Sequence, residues 1–234
     1  MDVKKHYEKQ YVKKDDHQAL SISKLSSWHK KIFLMFLESG ADELNGKKVL
    51  DVGSWNGMLL RLLMQRGVIP FAVDISPSSV KYLHSQGITA RQVDLSDGRI
   101  PFASRAFDAV IMSETIEHIF DGQHALDEVY RVLKKGGSLY ITTHNTFNVF
   151  MRLKFLLGMV PTPSLDVSDK TTCGEHIRIF NEKTLKRLLY QAGFKCTKLK
   201  DRSFLAIKLA GSIRLVEPPF KSLFSNHIFF VVKK

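Results

Sequence analysis

The stretch VLDVGSWNGMLLRLL, residues 49–63, joins a short apolar strand to an amphipathic helix through a turn that contains glycine. Such a unit buries its apolar faces when the helix folds back over the strand, as in a parallel β-sheet. The turn then presents backbone N–H groups to a ligand at the N-terminus of the helix. Trp55 stands in the middle of this turn, where a small residue is expected. The stretch therefore predicts an α/β fold with a ligand site at the turn.

Predicted strands and helices alternate along most of the chain. Apolar runs typical of buried strands cover residues 48–52, 70–73, 89–93, 107–112 and 138–142, with two closing runs at 194–200 and 228–232. Helical patterns cover residues 28–39, 56–66, 76–85, 122–134 and 182–192. Strands as apolar as these are covered on both faces. The pattern therefore predicts a Rossmann-like fold, in which a mostly parallel sheet has helices on both faces.

The length of 234 residues fits one domain with additions. We expect a basic arm and helix over residues 1–40 and one α/β domain over residues 41–234. After residue 144 the regular alternation stops, and the irregular stretch that follows is too long for a simple connection. We predict that this stretch, at about residues 145–178, is an insertion that faces the substrate.

Membrane insertion and secretion are not expected. The sequence contains no apolar run near the roughly 18 residues of a membrane span, and its first residues lack the apolar core of a signal peptide. The two cysteines, Cys173 and Cys196, do not have the spacing of a metal site. The chain is therefore expected to be cytoplasmic.

The formal net charge of +12 is concentrated near the two ends of the sequence. Residues 1–31 contain eight lysines and four acidic residues, and residues 183–234 contain twelve basic residues and two acidic ones. These regions could contact RNA, an anionic membrane surface or an anionic small molecule, or they could simply be solvated. Charge alone leaves these partners open, and the sequence does not predict an oligomeric state.

Polar residues follow the predicted strands at their carboxyl ends. Open parallel sheets bind ligands at this edge, so we expect these residues to line one pocket. They are Asp51, Gly53, Asp74, Asp94, Ser113, Glu114, His144 and Asn145.

The glycine pattern of the turn excludes a typical dinucleotide site. A G-x-G-x-x-G loop needs glycine at three positions that are occupied here by Gly53, Trp55 and Met58. Asp74, however, ends the next strand, where an acidic residue binds the hydroxyl groups of a ribose. A ribose without a pyrophosphate indicates a nucleoside that has a smaller substituent.

Four segments in order, VLDVGSWNG, AVDIS, VDLSDGRIPFASRAFDAVIMSETIEHI and EVYRVLKKGGSLYITTHN, resemble the motifs of class I S-adenosylmethionine-dependent methyltransferases. The resemblance covers residues 47–145, and the segment IRIFNEKTLKRLLYQAGF extends it. It implies a sheet of seven strands whose last strand is antiparallel, S-adenosyl-L-methionine as the cofactor, and transfer of a methyl group to an acceptor.

The same resemblance implies the residues that bind the cofactor. Asp51 would orient the ammonium group, Asp74 would hold the ribose, and Asp94 would accept a hydrogen bond from the adenine amino group. The other implied contacts come from the turn, from residues beside the adenine and from the end of the fourth strand. They are Gly53, Ser54, Trp55, Asn56, Gly57, Ile75, Leu95, Ser113 and Glu114. Each aspartate has the alternative role of capping a helix or a turn.

Trp55 replaces the glycine that is usual at the middle of this turn. Because a tryptophan rarely adopts a positive φ, we expect it to have an ordinary negative φ. Its indole would then either cover the cofactor or pack away from it.

The sequence SETIEHI contains an E-x-x-E-H pattern, formed by Glu114, Glu117 and His118. It resembles the magnesium-binding pattern of ubiquinone-biosynthesis O-methyltransferases and small-RNA 2′-O-methyltransferases, and His176 resembles a further ligand in the RNA enzymes. Mg²⁺ bound there would lower the pKa of a substrate hydroxyl. Alternatively, the pattern only lines the pocket. Glu117, His118, His144 and His176 are candidates for moving the acceptor's proton.

Three functions remain open from the sequence. The favoured one is methyl transfer to a small-molecule acceptor, at an oxygen atom. The alternatives are an RNA-modifying methyltransferase of the 2′-O type that uses the basic surface, and a non-catalytic binding module. The segment FNVFMRLKFLLGMV could cover an apolar acceptor, make peripheral contact with a membrane, or be a packed helix.

Overall fold

A computed structural model describes residues 33, 36–38, 40–159, 176–201, 205–209, 212–216 and 218–234. The basic arm at residues 1–31 and part of the predicted insertion therefore lie outside the described residues. Among the described residues, no helix combines the length and apolar character needed to cross a bilayer.

The centre of the fold is a sheet of seven strands. In chain order its strands are β1 Lys48–Val52, β2 Ile69–Asp74, β3 Thr89–Gln92, β4 Phe107–Ser113, β5 Leu133–His144, β6 Lys195–Asp201 and, after a separate hairpin, β9 His227–Lys233. Their order in space is β3-β2-β1-β4-β5-β9-β6. Strands β1 to β5 pair in parallel, whereas β9 lies antiparallel between β5 and β6. The predicted mostly parallel sheet is confirmed.

From residue 41 onward, the described residues include six helices. They are α1 Met58–Met64, α2 Pro77–Ser85, α3 Gly122–Val132, α4 Val149–Leu156, α5 Glu182–Gln191 and the short α6 Lys221–Phe224. Residues 33 and 36–38 are also helical. Two 3₁₀ turns, Ala41–Leu44 and Ile116–His118, precede β1 and follow β4. Asn181 begins α5 with a reciprocal capping box, since its side chain accepts from Thr184 N and its N–H donates to the Thr184 hydroxyl.

Two apolar clusters cover the two faces of the sheet. Alternate residues of each central strand point to opposite faces, as the pleat of a strand requires. Leu50 and Val52 belong to the cluster that contains α3 and α5, whereas Val49 belongs to the cluster that contains α1 and α2. Phe33 and Phe36, from the predicted first helix, pack in the second cluster. This burial of both faces is what the apolar strands predicted.

The structure departs from the predicted elements most clearly around the start of β5 and in the segment after β6. Helix α3 ends at Val132 rather than at residue 134, because β5 begins immediately afterwards, at Leu133, and pairs with β4. Strands β7 Leu205–Leu209 and β8 Ser212–Val216 form an antiparallel hairpin that was not predicted.

A partly buried ion pair fastens the segment before β4 to helix α3. The Arg131 guanidinium donates to both carboxylate oxygens of Glu128, each at 2.7 Å. It also donates to the carbonyl oxygens of Ile100 at 2.8 Å and Phe102 at 3.0 Å. Glu128 in turn accepts a hydrogen bond from Ile100 N at 2.8 Å. The planar guanidinium therefore satisfies both the carboxylate and the backbone of the loop.

We expect Arg131→Ala to lower the free energy of unfolding by about 2–4 kcal/mol, because Glu128 would lose its counter-charge and two carbonyl groups would lose their donor. Urea unfolding would measure the change. Lys81→Ala, at an exposed position of α2, is the control and should change stability by less than about 0.5 kcal/mol. Equal effects of the two substitutions would contradict this account of the loop.

Candidate active site

The carboxyl ends of the parallel strands form one polar edge of the sheet. Strands β1, β2, β4 and β5 end at or next to Asp51, Asp74, Ser113 and His144. Because these strands are parallel and paired in register, their final residues lie side by side. The sequence-predicted pocket residues are thus brought to the same edge.

The turn after β1 passes close to the end of β4. Gly53 has φ 72°, and a Cβ atom at this residue would lie 2.5 Å from Cγ2 of Thr115. Only glycine fits this approach and this conformation. The Ser54 hydroxyl donates to Oδ2 of Asp51 at 3.0 Å, and Oδ1 of Asn56 accepts from Met58 N at 3.1 Å. Gly57, with φ 65°, directly precedes α1.

The prediction that Trp55 has an ordinary negative φ is wrong, since its φ is 48°. Its backbone N–H donates to Oδ2 of Asp74 at 2.8 Å, and its carbonyl oxygen accepts a hydrogen bond from the Ser79 hydroxyl. These two bonds hold the left-handed conformation that a glycine would adopt without strain. The structure does not test whether the indole covers the cofactor, and that role stays a prediction.

Asp51 and Asp74 are both buried carboxylates. Burial and, to a smaller extent, the charge of the nearby Asp74 raise the pKa of Asp51 to about 7, against the opposing effect of the hydrogen bond from Ser54. Burial also raises the pKa of Asp74, while hydrogen bonds from Ser76 N and Trp55 N oppose that rise. Within the described residues, Asp51 accepts hydrogen bonds from the Ser54 hydroxyl and the backbone at Val52, and none of its neighbours named here is a cation. A bound cation would therefore lower the free-energy cost of burying its charge.

The other predicted cofactor residues are spread along the same edge. Asp94 is exposed and caps its own turn through a bond of 2.9 Å from Ser96 N, while Leu95 is buried beside it. Ile75 is half-buried directly after β2. The hydroxyl of Ser113 lies 3.0 Å from the hydroxyl of Thr142.

Two glutamates converge on His144. Nδ1 of His144, the last residue of β5, lies 2.8 Å from Oε2 of Glu114 and 3.5 Å from Oε1 of Glu117. Glu117 is 2% exposed, and its Oε2 accepts from the Thr143 hydroxyl at 2.9 Å. Glu114 has φ 50°, a strained conformation for a residue other than glycine.

Three further histidines surround this group. The ring of His144 lies 5.0 Å from that of His176 and 4.5 Å from that of His227, between centroids, and the rings of His118 and His176 are 4.9 Å apart. Ile177 N and Arg178 N donate to the carbonyl oxygen of Glu117, which fixes the backbone next to His176 at the site.

His227 was not among the predicted site residues. It opens β9, and β9 is antiparallel to β5, so its first residue lies at the edge where the parallel strands end. The only sequence signal is that HIFFVV begins the last predicted strand with a polar residue. This signal assigns His227 to the site only when the strand is known to run antiparallel to β5.

Close packing shifts the pKa values within this cluster in opposite directions. Burial would raise the pKa of Glu114, but the hydrogen bond and the attraction to His144 outweigh it and lower this pKa to about 2. Burial would lower the pKa of His144, but its hydrogen bonds and attraction to Glu114 and Glu117 raise this pKa to about 10. Burial and repulsion by Glu114 raise the pKa of Glu117 to about 7. Burial lowers the pKa of His118 and of His227 to about 4. At neutral pH His144 is therefore a cation, whereas His118 and His227 are neutral.

Known proteins of one enzyme family resemble this chain in sequence. A model of the methyltransferase-domain family matches residues 24–199. A demethylmenaquinone methyltransferase of Tropheryma whipplei is 30% identical over 183 residues, which are 72% of this chain and 75% of that protein. A ubiquinone biosynthesis O-methyltransferase of Idiomarina loihiensis is 33% identical over 132 residues, which are 54% of this chain and 53% of that protein.

This chain belongs to the methyltransferase-domain family.

Solved structures agree in fold. A SAM-dependent methyltransferase of Archaeoglobus fulgidus has a TM-score of 0.64 at 16% identity, over 88% of this chain and 94% of that chain. Another, a possible histamine N-methyltransferase of Thermotoga maritima, has a TM-score of 0.62 at 18% identity, over 87% and 91%. The methyltransferase is therefore an S-adenosylmethionine-dependent enzyme with the class I fold, and the non-catalytic module is not favoured.

The predicted set of four metal ligands divides between two groups in this methyltransferase. Glu117, His118 and His176 form one group of close donor atoms, while Glu114 belongs with His144 and His227. Each group offers two imidazoles and one carboxylate, whereas Mg²⁺ prefers oxygen ligands and retained waters. The donor set therefore does not fit the predicted Mg²⁺.

RNA contact through the basic regions at the two ends stays the alternative that the sequence left open. Of these two regions, residues 1–31 lie outside the described residues. The predicted boundary at residue 40 and the extent of the insertion at 145–178 likewise stay predictions.

We expect Asp51→Asn to stabilise the methyltransferase at pH 8 and to do so less at pH 5. The pKa of Asp51, about 7 when folded, exceeds its unfolded value of 3.8, so wild-type stability falls as the pH rises between these values. Above pH 7 the buried Asp51 is ionised, so the full free-energy cost of burying its charge is present. The neutral side chain of asparagine removes that cost. We expect a gain of about 1–3 kcal/mol at pH 8 by urea unfolding.

Asp97→Asn is the matched control, because Asp97 is an exposed aspartate of the loop after β3. Its effect on stability should be the same at both pH values. If the gain from Asp51→Asn does not grow between pH 5 and pH 8, the buried carboxylate does not cost stability as described.

The conformation of Trp55 can be tested with two substitutions that both remove the indole. Asparagine tolerates a positive φ, whereas the β-branched valine does not. We expect Trp55→Val to be less stable than Trp55→Asn by about 1–2 kcal/mol in urea unfolding. Equal stability, or a more stable valine variant, would show that the turn does not need the left-handed conformation.

Proposed function

We propose that this methyltransferase transfers a methyl group from S-adenosylmethionine to an oxygen atom of a small acceptor. The observation that supports this proposal most directly is the cluster formed by Glu114, Glu117, His118 and His144 at the end of β4 and β5. A hydroxyl acceptor must lose a proton, and this cluster places several basic atoms at the carboxyl edge of the parallel strands, the edge at which open sheets of this kind bind ligands.

The cofactor is proposed to bind along the turn after β1, in the arrangement that the family resemblance implies. Asp51 holds the ammonium group, whose charge offsets the buried carboxylate. The backbone from Gly53 to Gly57 follows the methionine part, while Ser113 and Glu114 lie at its end. Asp74 binds the ribose through the lone pairs that Trp55 and Ser76 leave available, and Ile75, Asp94 and Leu95 contact the adenine. When bound, S-adenosylmethionine supplies a methyl group that the sulfonium has already activated.

The protein's part in the chemistry is to position the acceptor and to take up its proton. His118 is the proposed proton acceptor, because its imidazole is only partly buried and is neutral at neutral pH. Burial lowers its pKa to about 4, and the negative charge of Glu114, which acts against that shift, would stabilise the imidazolium that forms. His144, held between two carboxylates, is cationic and cannot accept the first proton. Its charge instead stabilises the oxygen anion as the proton leaves.

An apolar ring system is the proposed acceptor class. The names of the two relatives, a demethylmenaquinone methyltransferase and a ubiquinone biosynthesis O-methyltransferase, refer to quinone compounds. Helix α4 follows β5 and has no buried residue among those described. Its large apolar side chains are exposed, and a hydrophobic acceptor would cover them. These are Phe150, Leu153, Phe155 and Leu156, followed by Leu157 and Met159.

The test is methyl transfer to a panel of catechols and hydroxyquinols, matched with amines of similar size. We expect O-methylated products by mass spectrometry, formed in equal amounts with S-adenosylhomocysteine. His118→Gln should lower kcat by about 10²–10⁴-fold without changing the Kd for S-adenosylhomocysteine.

His84→Gln, at an exposed position of α2, is the control and should leave kcat unchanged. Methylation of the amines alone would contradict oxygen transfer. Full activity of His118→Gln would show that another group takes up the proton.

A further inference from the structure

A row of cationic residues lies at the amino ends of β4, β5 and β6 and at the adjoining end of β9. Arg105 precedes β4, and two lysines follow the first residue of β5. Lys195 begins β6, and Lys233 ends β9, whose antiparallel direction brings its last residue to the same edge. We call this group the basic edge. Its members are Arg105, Lys134, Lys135, Lys195, Lys233 and Lys234.

Backbone pairing sets the spacing of the basic edge. Neighbouring strands lie about 4.8 Å apart, so the four strands distribute these residues over a line of about 14 Å. The N–H of Arg105 donates to the carbonyl oxygen of Arg131 at 3.0 Å, and the N–H of Lys234 donates to that of Gly137 at 3.0 Å. The cationic residues are therefore held in a row before any partner binds.

Two lysines of the basic edge repel each other across paired strands. Lys195 and Lys233 are register partners in the antiparallel pair of β6 and β9, and both are exposed. Directly opposed residues project from the same face of a sheet, and like charges in that arrangement destabilise it. Nζ of Lys233 donates to Oγ of Ser138 at 2.6 Å, but this acceptor is neutral and leaves the positive charge in place. A bound anion would offset the repulsion.

Acidic residues balance little of this charge. Asp108 accepts from Nζ of Lys134 at 2.8 Å and from the backbone N–H of Lys48 at 3.0 Å, so it offsets one lysine of the basic edge. The 3₁₀ turn Ala41–Leu44 contains two acidic residues, and the two lysines that follow it balance their charge. The excess of positive charge therefore lies from β4 to β6 rather than at β1.

Three members of the basic edge have no acidic partner in the part of the chain that the structure describes. No ion pair there joins Arg105, Lys135 or Lys195 to a carboxylate. Burial lowers the pKa of Lys234, and repulsion by Arg105 contributes to this shift, so these two cations are close enough to interact. Unbalanced positive charge along a line indicates a partner with a line of negative charge.

Tyr190 adds an exposed aromatic ring next to this charge. It is 73% exposed in the last turn of α5, and its carbonyl oxygen accepts from Gly193 N at 3.0 Å, two residues before Lys195. Arg187, one turn earlier on the helix, is also exposed. Single-stranded nucleic acids bind to surfaces of this composition, because bases stack on aromatic rings while basic side chains contact the phosphates.

A bilayer surface fits this edge less well. Peripheral membrane binding requires large apolar side chains that enter the lipid interface. Among the described residues, Ile69 is the other large apolar side chain exposed at this end of the sheet, and it begins β2, two strands beyond β4. The exposed apolar side chains of α4 follow the carboxyl end of β5, at the opposite edge.

We propose that the basic edge, together with Tyr190, binds a single strand of nucleic acid. The lysines contact phosphates as point charges, and the tyrosine ring stacks on a base. Phosphate contacts and stacking depend little on base identity, so we expect binding with little sequence preference.

This partner is distinct from the proposed acceptor of the methyl group. Along β5, Ser138 at the basic edge and His144 at the active site are separated by about 20 Å of extended chain. Nucleic acid held at the basic edge therefore tethers the methyltransferase and leaves the carboxyl edge open to a small acceptor. Binding is expected without the cofactor and does not depend on methyl transfer.

The experiment measures binding of the full chain to a fluorescein-labelled oligouridine of about 12 nucleotides by fluorescence anisotropy. Between about 50 and 200 mM KCl, we expect log K to fall against log salt concentration with a slope of about −2 to −4, as for about three to six phosphate contacts. The double variant Lys195→Gln, Lys233→Gln should raise Kd at least tenfold at the lowest salt concentration. Its slope should be shallower by about 1.4, because two contacts are lost.

Tyr190→Ala distinguishes nucleic acid from other polyanions, because it removes the ring and leaves the charge unchanged. We expect Kd for oligouridine to rise about fivefold or more, with the same salt slope. Unlabelled oligouridine should displace the labelled strand better than poly-glutamate or vesicles of phosphatidylserine and phosphatidylcholine at the same concentration of negative charge. Equal or better displacement by either competitor would assign the basic edge to an acidic protein or a membrane and overturn the proposal.

The matched control is the double variant Lys81→Gln, Arg91→Gln, which removes the same charge at exposed positions of α2 and β3. Its Kd for oligouridine should equal that of wild type. An unchanged Tm and an unchanged Kd for S-adenosylhomocysteine show that each variant is folded. Equal weakening by the two double variants, or failure of wild type to bind oligouridine, would overturn the proposal. Methyl transfer to small acceptors is assayed separately and stands or falls by itself.

Discussion

Backbone pairing of β5 with its neighbours is the interaction on which the site depends. Its parallel partner β4 delivers Ser113 and Glu114 to the edge where β5 ends at His144. Its antiparallel partner β9 begins at that same edge with His227. Reversing the direction of β9 would move His227 to the opposite edge of the sheet. Hydrogen bonds between main-chain atoms, rather than contacts among the side chains, therefore bring the ionisable groups together.

Burying these ionisable groups costs free energy, and neighbouring groups in the fold offset part of that cost. Among the described residues, the Ser54 hydroxyl and a backbone group hydrogen-bond to Asp51 while the charge of Asp74 repels it, and Glu114 and Glu117 share one imidazole. Unpaired charges and strained backbone persist where the surrounding structure is rigid enough to hold them. The apolar clusters on both faces of the sheet supply that rigidity, so the packing of the core maintains the strained conformations at the edge.

Trp55 shows how a sequence rule can fail for a physical reason. Glycine usually supplies a positive φ at such a turn because other residues are strained there. Here Asp74 accepts from the Trp55 N–H and Ser79 donates to its carbonyl oxygen, and these bonds offset the strain. The identity of the residue indicated a different conformation, but its hydrogen-bond partners lie on β2 and α2. Those partners could not be assigned from the turn alone.

Apolar periodicity and short motifs were sufficient to predict the alternation of strands and helices, the residues at the strand ends and the family resemblance. They also made Glu114, Glu117, His118, His144 and His176 candidates for catalysis or metal binding. The grouping of these residues, and the presence of His227 among them, came from the three-dimensional arrangement of the strands. Local patterns fix where a strand lies along the chain, whereas its direction and neighbours depend on pairing with distant segments.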